Sequence, residues 1–193
     1  MRYLKEWDVV GRALEDGRQI LLARKGGILD GDDDNGLFVP VFDEFFLFPT
    51  RLHQSEQVRE ALKRSEFMRY EDLLKEAPET SEKIPLRLFA RVAETHAVTD
   101  RDALKRLDAE HIWKEGFLEK RFEWGSVKGL TILVVRAYLL DPPVTIASKP
   151  AFAGCRSWIE DDEEISVASL KPVLSEEDFS KKRLRVRRAL SGE

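Results

Sequence analysis

The run from Leu130 to Leu140, with Thr131, Ile132, Val134, Val135 and Tyr138, constrains the fold more than any other stretch of the chain. Its β-branched and aromatic side chains predict a strand. Asp141-Pro142-Pro143 is expected to end it, because proline cannot extend a hydrogen-bonded ladder. Other runs supply neighbours. Pro85 to Val98 alternates, with Leu86, Leu88, Ala90 and Val92 set against Arg87, Phe89 and Arg91. Val41 to Phe48 is too apolar to leave one face in water, which predicts a central strand. Leu4 to Asp8 reads as a short helical turn or lead-in. Val9–Leu14 and Gln19–Ala23 are β-rich, and Glu15-Asp16-Gly17-Arg18 between them predicts a hairpin.

Helical spacing appears from about Leu52 to Glu76, through Leu52, Val58, Leu62, Phe67, Leu73 and Leu74, with a break near Ser65. Thr99-Asp100-Arg101-Asp102 caps a second helix running to about His111, and another short element carries Trp113, Phe117 and Phe122. Strands and helices in this order predict an α+β fold around a mixed, strongly curved sheet or small barrel with helical insertions. Residues 29–40, with Gly31, Asp32, Asp33, Asp34, Asn35 and Gly36, read as a solvated loop. Residues 1–160 are expected to form one domain and 161–193 a charged C-terminal extension. The acidic run Glu160–Glu164 opens that extension from its boundary, and a helix start at Ser175-Glu176-Glu177-Asp178 and the basic run Lys181–Arg188 follow within it.

At 193 residues and 42% hydrophobic content the chain has enough material for a real core. A net charge of −4 gives no global attraction to nucleic acid, so such binding needs a local basic patch. One cysteine excludes an internal disulfide and, with only three histidines, argues against a dedicated zinc site. No cofactor is expected. The start of the chain lacks the apolar run of a signal peptide, and no stretch approaches the roughly 20 apolar residues that span a bilayer. A cytoplasmic protein with no membrane partner is the expectation.

Three segments carry unusual chemistry where predicted strands run out: Arg24-Lys25-Gly26-Gly27-Ile28, then Phe45–Thr50 followed by His53-Gln54, and Gly154-Cys155-Arg156-Ser157-Trp158. Glycine or proline shapes the backbone in each, and hydrogen-bond donors stand at the tip, as at a pocket rim. Together with Lys5-Glu6-Trp7 they resemble the bacterial family known as domain of unknown function 1802, over about residues 3 to 160. The resemblance implies membership of a family whose activity is not known.

The opening, Val10–Leu14 and Gly17–Arg24, looks like the first hairpin of a Nudix hydrolase. That family follows with clustered glutamates that hold magnesium, whereas Glu56, Glu60 and Glu66 are scattered here, and Nudix chemistry is rejected. The order of segments resembles PUA-like or ASCH-like domains more closely, through Gly17-Arg18-Gln19 into Arg24-Lys25, then Phe45–Phe48, Arg91–Val98 and Ala137–Pro143. The glutamate that ASCH domains usually carry after the hairpin lysine is absent, since positions 21–25 read Leu-Leu-Ala-Arg-Lys. That likeness implies a cleft for RNA or modified nucleotides. A metal-dependent nuclease of the PD-(D/E)XK kind needs an acid and a (D/E)-x-K triplet on adjacent strands, and Asp43-Glu44 is the only acidic pair beside a core strand.

The candidate ligand-binding residues are Arg24, Lys25, Gly26, Gly27, Thr50, His53, Gln54, Arg156 and Trp158. Arg24 and Lys25 either neutralise a phosphate approached by Gly26-Gly27 or form a polar strand exit. Thr50 first suggests a helix cap; His53 and Gln54 on the following turn suit an anion, with His53 a hydrogen-bonding or proton-transfer group. Arg156 and Trp158 share a strand face, which suits stacking on a base or on each other. Cys155 reads as a small buried thiol rather than a nucleophile, His96 and His111 as structural, and Trp7, Trp113 and Trp124 as core. The basic run 181–188 either meets phosphates or pairs with the acidic run 160–164. The resulting expectation is binding of RNA or a nucleotide-like ligand. The alternatives are hydrolysis at the same pocket, using His53 with Asp43 or Glu44, and a protein-interaction module.

Overall fold

The computed structural model describes residues 1–26, 36–50, 54–74, 82–154, 156–166 and 169–193, excepting the side chains of 54–57. In chain order the elements are β1 (Arg2–Trp7), α1 (Asp8–Glu15), β2 (Leu21–Arg24), β3 (Glu44–Thr50), α2 (Gln54–Ala61) and α3 (Arg64–Tyr70). Then follow β4 (Lys83–Val98), α4 (Arg101–Arg106), α5 (Phe117–Glu123), β5 (Leu130–Ala147), β6 (Trp158–Glu160), β7 (Leu170–Pro172) and α6 (Glu176–Ser191). The strands form one seven-stranded sheet in the order β2-β5-β4-β3-β1-β6, with β7 also paired to β5. Only β1 and β3 run parallel, so this is a mixed, curved and unclosed α+β sheet.

The first twenty residues depart from the sequence expectation. Residues 2–7 form a strand rather than a helical lead-in, and residues 8–15 form a helix rather than the first arm of a hairpin. Val9, Val10, Ala13 and Leu14 are all buried, at spacings that place them on one helical face. Burial of that face overrides the modest β preference of two valines. Gly17, at φ +64°, then closes the helix: its N–H donates to Leu14 O at 3.0 Å and Arg18 N–H to Ala13 O at 2.8 Å. The Asp-Gly pair is a helix terminus, which uses the same positive φ as a hairpin turn.

The central pair β4–β5 is as expected in position but longer. β5 passes through Pro142 and Pro143 instead of ending there. Its register against β4 shifts between Leu86 paired with Val144 and Leu88 paired with Leu139, so the extra residues bulge out and the prolines owe nothing to the ladder. The cap expected at Asp100 is present, its carboxylate accepting from Asp102 N–H at 2.9 Å. The break between α2 and α3 falls at Leu62-Lys63, slightly before Ser65.

The larger core cluster joins Leu4, Leu47, Leu88 and Ile132 to the inner faces of α1, α4, α5 and α6. A smaller, aromatic cluster lies on the other side of the sheet, around Tyr3, Phe46, Phe48, Phe89 and Phe152. Residues 161–193 contribute β7 and α6, and Phe179 and Val186 of α6 are buried in the larger cluster. Ser175 caps α6 by accepting from Asp178 N–H at 3.0 Å. The basic run on this helix does not pair with the acidic run. Arg187 and Arg183 meet Glu94 at 2.7 and 3.5 Å, and Arg185 meets Glu110 at 2.7 Å. Asp161 and Glu163 instead take Lys149, at 2.6 and 3.2 Å.

His111 is 6% exposed, and its Nδ1 accepts from Trp113 N–H at 3.2 Å. Burial, aided by Lys63, pushes its pKa down to about 4. The neutral ring belongs to the folded state, so the unfolded chain takes up the proton first on acidification. Stability is full above pH 6.5 and declines as pH falls from there toward about 4, by at most ~3 kcal/mol. In His111→Gln, the urea midpoint is expected to lose most of its dependence on pH in that window. Separately, Phe179→Ala is expected to lower the unfolding free energy by about 3–5 kcal/mol in urea titration, as for a core aromatic.

Candidate functional site

β1 ends at Trp7, where the chain turns directly into α1, and its last three residues organise one end of the sheet. Glu6 and Trp7 lie beside Pro49 and Thr50 in the parallel ladder with β3. Arg24 arrives from β2, at the opposite edge of the sheet. Its guanidinium donates to Glu6 Oε2 at 3.0 Å, to Lys5 O at 3.2 Å and to Ser157 Oγ. The sheet therefore curves until its edges nearly meet, and a side chain crosses the seam that no backbone ladder closes. Lys5 Nζ donates to Phe152 O and to Gly154 O at 2.8 Å, while Lys5 N–H donates to Ser157 O at 2.8 Å. These bonds fix the segment that bears Arg156 against β1.

Arg121, on α5, lies in the same region. Its guanidinium carbon stands 5.5 Å from the centre of the Trp7 ring and 6.0 Å from that of Phe117. Trp7, Trp113 and Phe117 pack together, with Trp113 and Phe117 centroids 4.5 Å apart. The Arg121 side chain makes no hydrogen bond or ion pair to any described residue. Burial pushes its pKa down, Glu6 opposes this and Arg24 reinforces it; the guanidinium stays protonated at neutral pH. Sequence reading missed Arg121, because Lys120-Arg121 on a short amphipathic helix looks like a solvated face. The available signal was its position four residues after Phe117, where a helix stacks one side chain over the other.

Glu6 and Trp7 also line a small cleft that reaches Pro49, Gly11, Asp8, Glu15 and Arg87. Arg87 spans α1 from end to end, donating to Asp8 Oδ1 at 2.8 Å and Glu15 Oε2 at 3.1 Å. Arg12 also meets Glu15, at 2.8 Å, so Asp8 and Glu15 in the cleft wall are both paired. Glu44 is exposed and paired with Arg91 at 2.8 Å. Among the described residues, no three His, Cys, Asp or Glu side chains gather as a metal site.

Of the residues singled out in the sequence, Arg24, Thr50 and the Arg156–Ser157 pair converge on the end of β1. Lys25 turns the other way: its ammonium donates to Phe122 O, Val127 O and Gly129 O at 3.2, 2.6 and 2.9 Å. Burial, together with nearby Lys128, pushes its pKa below the usual lysine value. Gly26 follows it, half-buried, at the strand exit. Arg156 is exposed and makes no hydrogen bond or ion pair to a described residue. Trp158 is packed among rings, stacked on Phe38 at 6.2 Å and edge-on to Phe42 and Phe45 at 5.3 and 5.2 Å. Gln54 begins α2. Gly27, His53 and Cys155 lie outside the described residues. Trp113 is core as expected and Trp7 is half-buried, but Trp124 is not core: it is 66% exposed.

The side chains of Arg24 and Glu6 are each only 12% exposed. Removing one partner leaves the other charge poorly solvated, so Arg24→Met is expected to cost about 3–5 kcal/mol of stability. The double variant Arg24→Met, Glu6→Leu is expected to recover much of that loss, which a double-mutant cycle in urea measures.

No curated protein matches the chain. Among solved structures, the crystal structure of ASCH from Zymomonas mobilis is 13% identical, with a TM-score of 0.43 over 95% of this chain and 92% of that one. A tyrosine-to-phenylalanine variant of the Zymomonas mobilis protein is 11% identical, with a TM-score of 0.44 over 93% of this chain and 94% of that one. A serine-to-alanine variant is 13% identical, again with a TM-score of 0.44, over 93% of this chain and 92% of the other. The sequence itself matches, over residues 3–185, the family described as a domain of unknown function (DUF1802), and the chain belongs to that family.

Proposed function

We propose that the seam end of the sheet binds an anionic, nucleotide-like ligand, with RNA as the polymer that best fits its chemistry. The supporting observation is an excess of cationic donors over acceptors. Arg24 and Arg121 come from separate segments and both face Glu6, whose carboxylate directly engages Arg24, while Arg156 stands on the segment that Lys5 fixes against β1. The side chains of Arg121 and Arg156 have no polar partner among the described residues. Two more donors beside the seam, Arg24 Nε and Trp158 Nε1, are buried without a hydrogen-bond acceptor among the described residues. Such groups are costly unless something supplies oxygen atoms to them, and phosphates, riboses and base carbonyls do so. Arg121 lying over Trp7 and Phe117 supports the same reading, because a guanidinium stacked on rings is a group that bases and phosphates take up.

In this reading Arg121 and Arg156 contact the ligand. Arg24 supplies Nε while holding the seam, Lys25 fixes the neighbouring turn, and Thr50 and Gln54 border the site from β3 and α2. Gly26, Gly27, His53 and Trp158 complete the set proposed to line or support it. The chain's net charge of −4 means the attraction is local, so binding is steeply salt-dependent. Among the described residues no helix is long and apolar enough to cross a membrane.

Fluorescence anisotropy with labelled RNA across a salt series tests this. Arg121→Met and Arg156→Ala are each expected to weaken binding about tenfold and to reduce the log–log salt slope by about 0.7, the loss of one phosphate contact on a single strand. Unchanged affinity in both variants, or no retention of RNA by the wild-type protein at low salt, overturns the proposal.

A further inference from the structure

We infer that Trp124 is a stacking platform for an unpaired base, so that the nucleic acid taken at this end is single-stranded; this rests on the reading above. Trp124 follows α5 immediately, three residues after Arg121, and is 66% exposed. A single exposed aromatic is ordinary on a protein surface. What sets this one apart is the bracing of the turn that carries it.

Lys25 donates to Phe122 O, Val127 O and Gly129 O, spanning the whole turn from beneath. Lys128 Nζ donates to Glu123 O and, at 3.3 Å, to Gly125 O. Gly129 N–H returns to Phe122 O at 3.2 Å, and Trp124 N–H donates to Arg121 O at 3.3 Å. The underside also packs: a side chain on Gly36 would stand 2.9 Å from Val127, and one on Gly129 would stand 2.8 Å from Leu37. The indole is therefore displayed on a fixed support. Its principal brace, Lys25, follows directly on Arg24, so platform and seam are held by consecutive residues.

Lys120 and Arg121 lie within four residues of Trp124, as does Lys128, whose ammonium also meets the Glu123 carboxylate at 3.6 Å. An apolar protein partner covering the indole would have to desolvate them. A single strand meets both needs, because its phosphates take the cations while a base stacks on the indole. A duplex cannot, since its base faces are already stacked on one another.

The experiment compares a short uridine oligonucleotide with a hairpin duplex, by anisotropy and by quenching of tryptophan emission. The proteins are wild type, Trp124→Ala, Trp124→Phe and Arg121→Met, each checked for folding by circular dichroism. The expected result is preference for the single strand, about tenfold weaker binding in Trp124→Ala, near-complete rescue in Trp124→Phe, and quenching that disappears with Trp124. Wild-type affinity in Trp124→Ala beside a loss in Arg121→Met overturns the platform and leaves the seam site standing. No nucleic-acid binding by the wild-type protein overturns both. A dimer that dissociates in Trp124→Ala, with RNA affinity intact, assigns the indole to a protein contact and overturns the inference.

Discussion

The ion pair between Arg24 and Glu6 is the contact on which the rest of this molecule's architecture turns. A curved sheet that stops short of closing has two edges, and edges present unpaired backbone groups. Here the edge strand β2 is tied to the β1–β6 side by one guanidinium, which also takes up a main-chain carbonyl of β1 and the Ser157 hydroxyl. An apolar pair in its place could match its contribution to stability but not its directionality. The pair fixes the distance between the edges. Through Glu6 and Trp7 it thereby fixes the start of α1, and through Ser157 the approach to β6.

Much of the framework was legible in the sequence because the signals were redundant. β4 and β5 are long, β-rich and set apart by helices, and Asp100 and Ser175 sit where a capping carboxylate or hydroxyl is needed. The errors cluster where one residue type serves two geometries. Gly17 at positive φ ends a helix as readily as it turns a hairpin, and Val9-Val10 suits either element until the partner surface is known. Pro142 and Pro143 do break the ladder, but only locally, since an irregular register absorbs them and pairing resumes at Val144.

The candidate site was legible in part and for a different reason. Strand ends carrying Arg24, Thr50 and Ser157 do gather at β1, as their glycine- and proline-shaped tips suggested. Which cations remain uncommitted could not be read, because that depends on contacts between residues far apart in the chain. Arg24 and Lys25 are adjacent in sequence, yet one crosses the seam while the other braces a turn. Arg121 and Trp124, on a short helix and its exit, carried no sequence mark distinguishing them from an ordinary amphipathic face.

The helix α6 carries the densest basic run in the chain, and four of its six cations are held by carboxylates. Arg183 and Arg187 share Glu94, whose carboxyl burial alone would raise but which Arg187 and His96 hold below its usual pKa; Arg185 holds Glu110 and Lys181 holds Glu177. The consequence is a form of discrimination. A loose basic helix attracts any polyanion, and non-specific capture competes with a recessed site for the same ligand. With Lys181, Arg183, Arg185 and Arg187 held by Glu177, Glu94 and Glu110, α6 is a weaker decoy than its sequence suggests. Under the proposed reading this leaves the ligand to the end of the sheet where the side chains of Arg121 and Arg156 have no polar partner among the described residues.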